Sequence, residues 1–411
     1  MKSVVVEQKT LALNGNEAVA YAVKQSDVDV VAAYPITPQT IIVERFSEYV
    51  ANGEVETAFV CTESEHSALT ACLAASLTGA RTFTASASAG LALMHEMLFV
   101  TSGCRAPVVM AIANRALSAP INIHGDQSDT MAQRDSGWIQ IYAENAQEVY
   151  DSVIQAFRIA EHSDVLLPAM VCLDGFQLSH SVENVNVLPD DVVKKFLGVR
   201  QFPTVLTHEG KMAPLKLDPE NPMTMGPLAF PNYYFEFKRQ QEEAMKNALK
   251  VIREVHDEYA KISGRSYGDG LLDQYFLEDA EIAIVCLGST AGTVKTIVDE
   301  LRAEGVKAGL LRMRTFRPLP VEGIKEALGH VKAVAVMDRS ISFGGFGGAV
   351  FHEVRHALYD LDKKPLVVNY IYGLGGRDTS PMQIRMIYKD LQEILAKKRV
   401  ENPINYVGLR E

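Results

Sequence analysis

The chain has 411 residues, of which 47% are hydrophobic and 22% charged, an ordinary globular composition that excludes a disordered tail, a collagen-like fibre and a long coiled coil. At about 150 residues per domain this length predicts two to three domains, and such a chain buries a core without disulfide or metal staples. Its 40 Lys and Arg against 51 Asp and Glu give a formal charge of −11, an acidic balance that argues against a nucleic-acid footprint.

At the start of the chain, Val4-Val5-Val6 is too short an apolar run for a signal peptide. Helix-like segments over 16–24, 38–50, 65–77 and 90–101 then alternate with short apolar runs over 28–33, 57–61, 81–85 and 107–112. A helix over 146–162 and a strand over 169–173 continue the pattern. Strands alternating with helices predict parallel β-α-β units in a covered sheet. The most membrane-like stretch, 83–103, contains His95 and Glu96 and many small residues, so it reads as a tightly packed interior segment. Cys61, Cys72, Cys104, Cys172 and Cys286 lie far apart with no CxxC, a spacing that fits neither a disulfide framework nor a zinc or iron–sulfur site. A reduced, cytoplasmic protein without a membrane span is expected.

From 182 to 232 the alternation fails, because Pro189, Pro203, Pro214, Pro219, Pro222, Pro227 and Pro231 break any long element. This stretch is expected to be a long irregular surface wrap. A charged helix over 235–262 follows, and the glycines of 264–270 read as a hinge. Strands over 281–286, 306–311, 333–337 and 366–370 then make a second alternating region, a smaller α/β domain of roughly 140 residues.

Three constellations follow three different strands at their carboxyl ends, where ligands of open α/β sheets sit. The first is Tyr34-Pro35-Ile36-Thr37-Pro38. Thr37 either presents its hydroxyl to a ligand or caps the next helix. The second is Thr62-Glu63-Ser64-Glu65. Glu63 suits a helix N-terminus electrostatically. Glu65 opens a segment rich in alanine, where a buried carboxylate needs a partner such as a protonated heterocyclic nitrogen. The third is Arg115 with the downstream Gly125-Asp126-Gln127-Ser128-Asp129; Arg115 either receives a small acid through a bidentate pair or makes a structural ion pair. The three motifs are expected to converge on one crevice. In the second region, Gly288–Gly292 reads as a strand-to-helix turn in preference to a phosphate cradle, and Arg314 and Arg317 are expected to touch a neighbouring subunit.

These residues carry a resemblance. Tyr34-Pro35-Ile36-Thr37-Pro38, Ser64-Glu65, Arg115 and Gly125–Asp129 resemble the alpha subunits of pyruvate:ferredoxin oxidoreductases, within the 2-oxoacid:ferredoxin oxidoreductase family. The likeness continues through 314–320, 344–348 and 373–378. It implies a pyrimidine-type, thiamine-diphosphate-binding parallel-sheet domain over 1–265 and a smaller transketolase-C-terminal-like α/β domain over 266–411. It implies oxidative decarboxylation of a 2-oxoacid, pyruvate first, with coenzyme A and ferredoxin. Branched-chain 2-oxoacids, 2-oxoglutarate and a non-catalytic scaffold are the alternatives.

The resemblance makes Glu65 the glutamate that bonds the aminopyrimidine ring, with Pro35 beside the cofactor. It makes Thr37 and Arg115 the residues that hold the 2-oxoacid. Gly268-Asp269-Gly270 lacks the downstream Asn-Asn of a diphosphate–Mg²⁺ site. A beta subunit is therefore expected to supply that half, and other chains the [4Fe-4S] clusters, with no metal held here.

Overall fold

The computed structural model describes residues 6–207 and 209–410. Most of the Val4-Val5-Val6 run therefore lies outside the described residues.

Val109–Asn114 and Ala169–Asp174 are buried at every position, the mark of strands covered on both faces. They form the middle of a seven-stranded sheet in the order Thr315–Arg317, Ile139–Tyr142, Ala169–Asp174, Val109–Asn114, Thr82–Ser86, Val30–Ala33, Ala58–Cys61. All neighbours pair parallel except Thr315–Arg317, which runs antiparallel to Ile139–Tyr142. The connecting helices include Glu65–Thr78 and Ala146–Ala160, the latter buried at nearly every position. A second sheet has the order Leu272–Tyr275, Ala308–Met313, Ile282–Cys286, Ala333–Asp338, Leu366–Ile371, Ile404–Tyr406. One apolar cluster runs from Val31 and Val109 in the first sheet to Val285, Leu311 and Val334 in the second. No described helix is long and apolar enough to cross a membrane.

The segment 182–232 is more regular than its prolines suggest. Val182–Val187 pairs antiparallel with Lys9–Asn14, Asp190–Leu197 is a helix, and Thr204–Leu206 pairs with Met212–Pro214. The prolines bound these elements instead of dissolving them: Pro189 immediately precedes its helix, a position where a missing N–H is harmless. Beyond it, Pro231–Ser263 forms a helix of 33 residues that buries Ala244, Ala248, Val251, Ile252, Val255 and Tyr259 along one face. Gly264, at φ 73°, ends it, as a left-handed residue without a Cβ can. In the following turn Asp269 accepts from the amides of Leu271 and Leu272 and from Arg253. The carboxylate of the Gly-Asp-Gly triplet is thus engaged by its own surroundings.

Candidate active site

Glu65 is placed by a helix start. Ser64 caps the helix Glu65–Thr78, its hydroxyl accepting from the Ser67 amide at 3.3 Å. Glu63 remains exposed and its carboxylate accepts from the Ser67 hydroxyl, which holds it below the usual carboxylate range. Glu65, one residue inside the cap, is turned inward and only 6% exposed. Among the described residues nothing donates a hydrogen bond to it. Its carboxylate lies against the backbone of Gly90, where an added Cβ would sit 2.5 Å from Oε1 and 2.6 Å from the Ser86 hydroxyl. The Ser86 hydroxyl is buried and also without a partner. An unpaired buried carboxylate is costly unless a donor meets it, so this position fits the protonated heterocycle that the resemblance assigns to it.

The Tyr34–Gln39 turn is fixed from three sides. Gln39, fully buried, donates to the Tyr34 carbonyl at 3.2 Å and to Ala85 in the adjacent strand at 2.8 Å. Asn16 donates to the Pro38 carbonyl at 2.7 Å, and Arg115 Nη1 to the Thr37 carbonyl at 3.0 Å. The helix here begins at Thr40, with Gln39 before it. Thr37 is therefore not its cap; Thr37 and Pro35 are both exposed. Arg115 itself is 7% exposed, and its Nε donates to the Asn122 carbonyl at 3.0 Å. Both bonds go to backbone carbonyls, not to the carboxylate of a structural ion pair. Nothing among the described residues accepts from Nη2, so that edge of the guanidinium remains able to receive a carboxylate.

Asp129 joins the pieces, a role that sequence reasoning missed. Its Oδ2 accepts from the backbone amides of Ser88, at 3.0 Å, and Arg115, at 2.9 Å. Its Oδ1 accepts from Asn114 Nδ2 at 2.8 Å and from the Thr130 amide at 2.7 Å. Burial outweighs these donors and pushes its carboxyl up to about 6. Ser88 sits at φ 48°, a left-handed conformation that a serine holds only when its surroundings impose it. Here its amide is held by Asp129 and its hydroxyl by the Ala116 carbonyl at 2.5 Å. Thr37 and Arg115 therefore meet directly, and Glu65 lies against the Ser86–Gly90 turn that Asp129 ties to Arg115. The run of small residues in 85–90 was the available signal for that turn; the Gly125–Asp129 motif contains Asp129 but does not show which backbone amides it receives.

The motifs of the second region are spent inside the chain. Arg314 is fully buried and donates to Glu148 at 2.9 Å, and Arg317 pairs with Glu353 and with Asp135. Arg314 is not the subunit contact that the sequence suggests, because the buried Glu148 of this chain already neutralises it, whereas Arg317 is only partly buried and lies beside the exposed Asp135. At the Gly288–Gly292 turn, Ser289 donates through its amide and hydroxyl to Asp174 Oδ2 at 2.9 and 2.6 Å. An internal carboxylate fills the place a phosphate would take.

Comparison with known proteins identifies the family of the chain. Residues 21–257 match the family model for pyruvate flavodoxin/ferredoxin oxidoreductase, thiamine diphosphate-binding, and residues 280–384 match pyruvate:ferredoxin oxidoreductase core domain II. The chain is 51% identical over 399 residues to pyruvate synthase subunit PorA of Methanocaldococcus jannaschii, covering 97% of this chain and 98% of that one. It is 50% identical over 407 residues to the PorA subunit of Thermotoga maritima, covering 99% of each. It is 43% identical over 408 residues to ketoisovalerate oxidoreductase subunit VorA of Pyrococcus abyssi, covering 99% and 100%. Among solved structures, the 2-oxoglutarate:ferredoxin oxidoreductase of Magnetococcus marinus with 2-oxoglutarate, coenzyme A and succinyl-CoA bound superposes with a TM-score of 0.74 at 21% identity. That match covers 93% of this chain and 65% of the other, and it is a likeness of fold. Matched by these models and relatives along nearly its whole length, the chain belongs to the pyruvate flavodoxin/ferredoxin oxidoreductase family.

Proposed function

We propose that this chain is the subunit of a 2-oxoacid:ferredoxin oxidoreductase that holds the pyrimidine half of a thiamine diphosphate site. The complex converts pyruvate and coenzyme A reversibly to acetyl-CoA and CO₂ while reducing ferredoxin. The observation that carries the reading is the Glu65 carboxylate, 6% exposed and without a donor among the described residues. Thiamine diphosphate, when bound, supplies the electron sink that decarboxylation of a 2-oxoacid requires.

This chain's residues bind and orient. Glu65 accepts a hydrogen bond from the ring nitrogen of the pyrimidine and so holds the proton there. Pro35 stiffens the turn that flanks the cofactor. The open Nη2 edge of Arg115 receives the substrate carboxylate, and the Thr37 hydroxyl donates to a substrate oxygen. One cation beside a neutral hydroxyl suits a monoanionic acid; a dianion such as 2-oxoglutarate would favour a second cation at position 37. Identity of 51% to a pyruvate synthase subunit against 43% to a ketoisovalerate oxidoreductase subunit favours pyruvate over a branched-chain acid.

A beta subunit supplies the diphosphate–Mg²⁺ half, and further chains carry the [4Fe-4S] clusters. Two features support this division: Asp269 of the Gly-Asp-Gly triplet is bonded within its own turn, and Cys72, Cys172 and Cys286 are buried in separate elements. The complex is cytoplasmic. Replacement Glu65→Gln, made in the assembled complex, tests the reading. Turnover is expected to fall on the order of 10²-fold or more while assembly stays intact; unchanged turnover would return the chain to the scaffold alternative.

A further inference from the structure

We infer that Asn122 and the glycine turn after Leu366–Ile371 form a clamp through which the second α/β unit holds Arg115 in its substrate-binding pose. The inference rests on the proposed role of Arg115 and adds positioning residues to it.

Arg115 is a long, flexible side chain held at two points, the Thr37 and Asn122 carbonyls, each at 3.0 Å. The Thr37 carbonyl belongs to the turn that Asn16 and Gln39 already fix. The Asn122 carbonyl belongs to the loop 116–127, in which Pro120, Ile121, Ile123 and His124 are all exposed. Exposed loops are mobile unless tied down, so the Arg115 pose is only as well defined as Asn122.

Within the first unit the loop is closed by the Ala116 amide, which donates to the His124 carbonyl at 3.1 Å; the ties that reach Asn122 Nδ2 and Asp126 Oδ2 come from the second unit. Asn122 Nδ2 donates to the Gly375 carbonyl at 3.0 Å, and the Gly375 amide donates back to Asp126 Oδ2 at 3.1 Å. Arg339, at the end of the strand Ala333–Asp338, donates through Nη2 to the Gly125 carbonyl at 3.0 Å and pairs through Nη1 with Asp174 at 3.0 Å. The approach is close enough to demand glycine. Gly375 lies at φ 60°, and an added Cβ would fall 2.4 Å from Asn122 Nδ2; at Gly376, φ 78°, it would fall 2.4 Å from His124 Cβ. Asn122 thus faces two ways: its carbonyl orients the guanidinium while its side chain reads the position of a turn 253 residues away. Asn122 acts through Arg115 in this arrangement, so it is a positioning residue. A pose that loosens equally in ground and transition states weakens binding without slowing chemistry.

The test uses the assembled complex with Asn122→Ala, and with Asn122→Asp, which keeps the shape and the acceptor for the His124 amide but sets a carboxylate against the Gly375 carbonyl. Arg115→Ala is measured in parallel. Both Asn122 variants are expected to raise KM for pyruvate about tenfold, the loss of roughly one hydrogen bond, with kcat within about twofold and thiamine diphosphate affinity unchanged. An unchanged KM in both variants overturns the clamp, and so does a proportional fall in kcat and thiamine diphosphate affinity, which would mark a merely structural loop. If Arg115→Ala raises KM while the Asn122 variants do not, the clamp alone fails. If Arg115→Ala also leaves KM unchanged, the substrate role of Arg115 fails with it.

Discussion

A methyl group at residue 90 would lie 2.5 Å from a Glu65 oxygen and 2.6 Å from the Ser86 hydroxyl, well inside any comfortable contact. The carboxylate would have to move, and hydrogen bonds weaken steeply once displaced from their preferred geometry. Gly90→Ala is therefore expected to lower the affinity of the assembled complex for thiamine diphosphate about tenfold or more. Titration calorimetry checks this, and binding as tight as in the unaltered complex would mean that Glu65 does not face the cofactor. Arg115→Lys is a second test at this scale. Lysine offers a point charge where the guanidinium bonds two carbonyls in different directions, so KM for pyruvate is expected to rise with the charge retained.

Among the elements, Asp129 joins the turn after Thr82–Ser86 to the end of Val109–Asn114. Its carboxyl has a folded value of about 6 against 3.8 for the free side chain. The folded state therefore holds the proton more tightly than the unfolded one. Asp129 favours folding most below pH 3.8, and that contribution is lost as pH rises to about 6, an effect of roughly 3 kcal/mol across the window. Asp129→Asn removes the titration and leaves backbone donors facing an amide, at a cost of about 1–3 kcal/mol. Melting temperatures of the two proteins are expected to draw together as pH rises from 4 toward 6, and a constant gap would refute the assignment.

The contrast with what could be read in advance is physical. Strands such as Val109–Asn114 and Ala169–Asp174 are written as apolar runs and are legible. Ile139–Tyr142 is not, because Gln140 interrupts it and donates internally to the Thr130 carbonyl. Its edge partner Thr315 comes from a distant part of the chain. Glu65 and Arg115 announce themselves by side-chain chemistry. Asp129 lies in the Gly125–Asp129 motif, but its joining role does not show there, because two of its donors are backbone amides 41 and 14 residues away, and a backbone amide has no signature in sequence.

On the scale of the whole molecule, the two sheets meet through charge as well as apolar contact. Glu148, capped into the helix Ala146–Ala160 by Asn145, pairs with Arg312 at 2.6 Å and Arg314 at 2.9 Å, all three fully buried. Burial alone would raise the Glu148 carboxyl, but the two guanidinium groups pull it below its ordinary value. This contribution to stability is present above the unfolded carboxyl value of 4.5 and is lost as pH falls through the folded one. Glu148→Gln leaves two buried cations short of their counter-charge and is expected to destabilise the protein by about 3–5 kcal/mol in urea unfolding. The formal charge of −11 is a further property of the whole. It disfavours an acidic electron carrier on this chain, so ferredoxin is expected to cross-link chiefly to another subunit.

The antiparallel strand Thr315–Arg317 comes from beyond the glycine-rich turn of 264–270 yet completes the first sheet, beside Ile139–Tyr142. Severing the chain near residue 265 would therefore not release a self-sufficient amino-terminal half. It would strip the cover from Ile139–Tyr142 and leave a bare row of peptide groups, a template on which other copies could stack. The fragment is expected to precipitate where the intact polypeptide stays in solution, and adding the carboxyl-terminal piece in trans should rescue it.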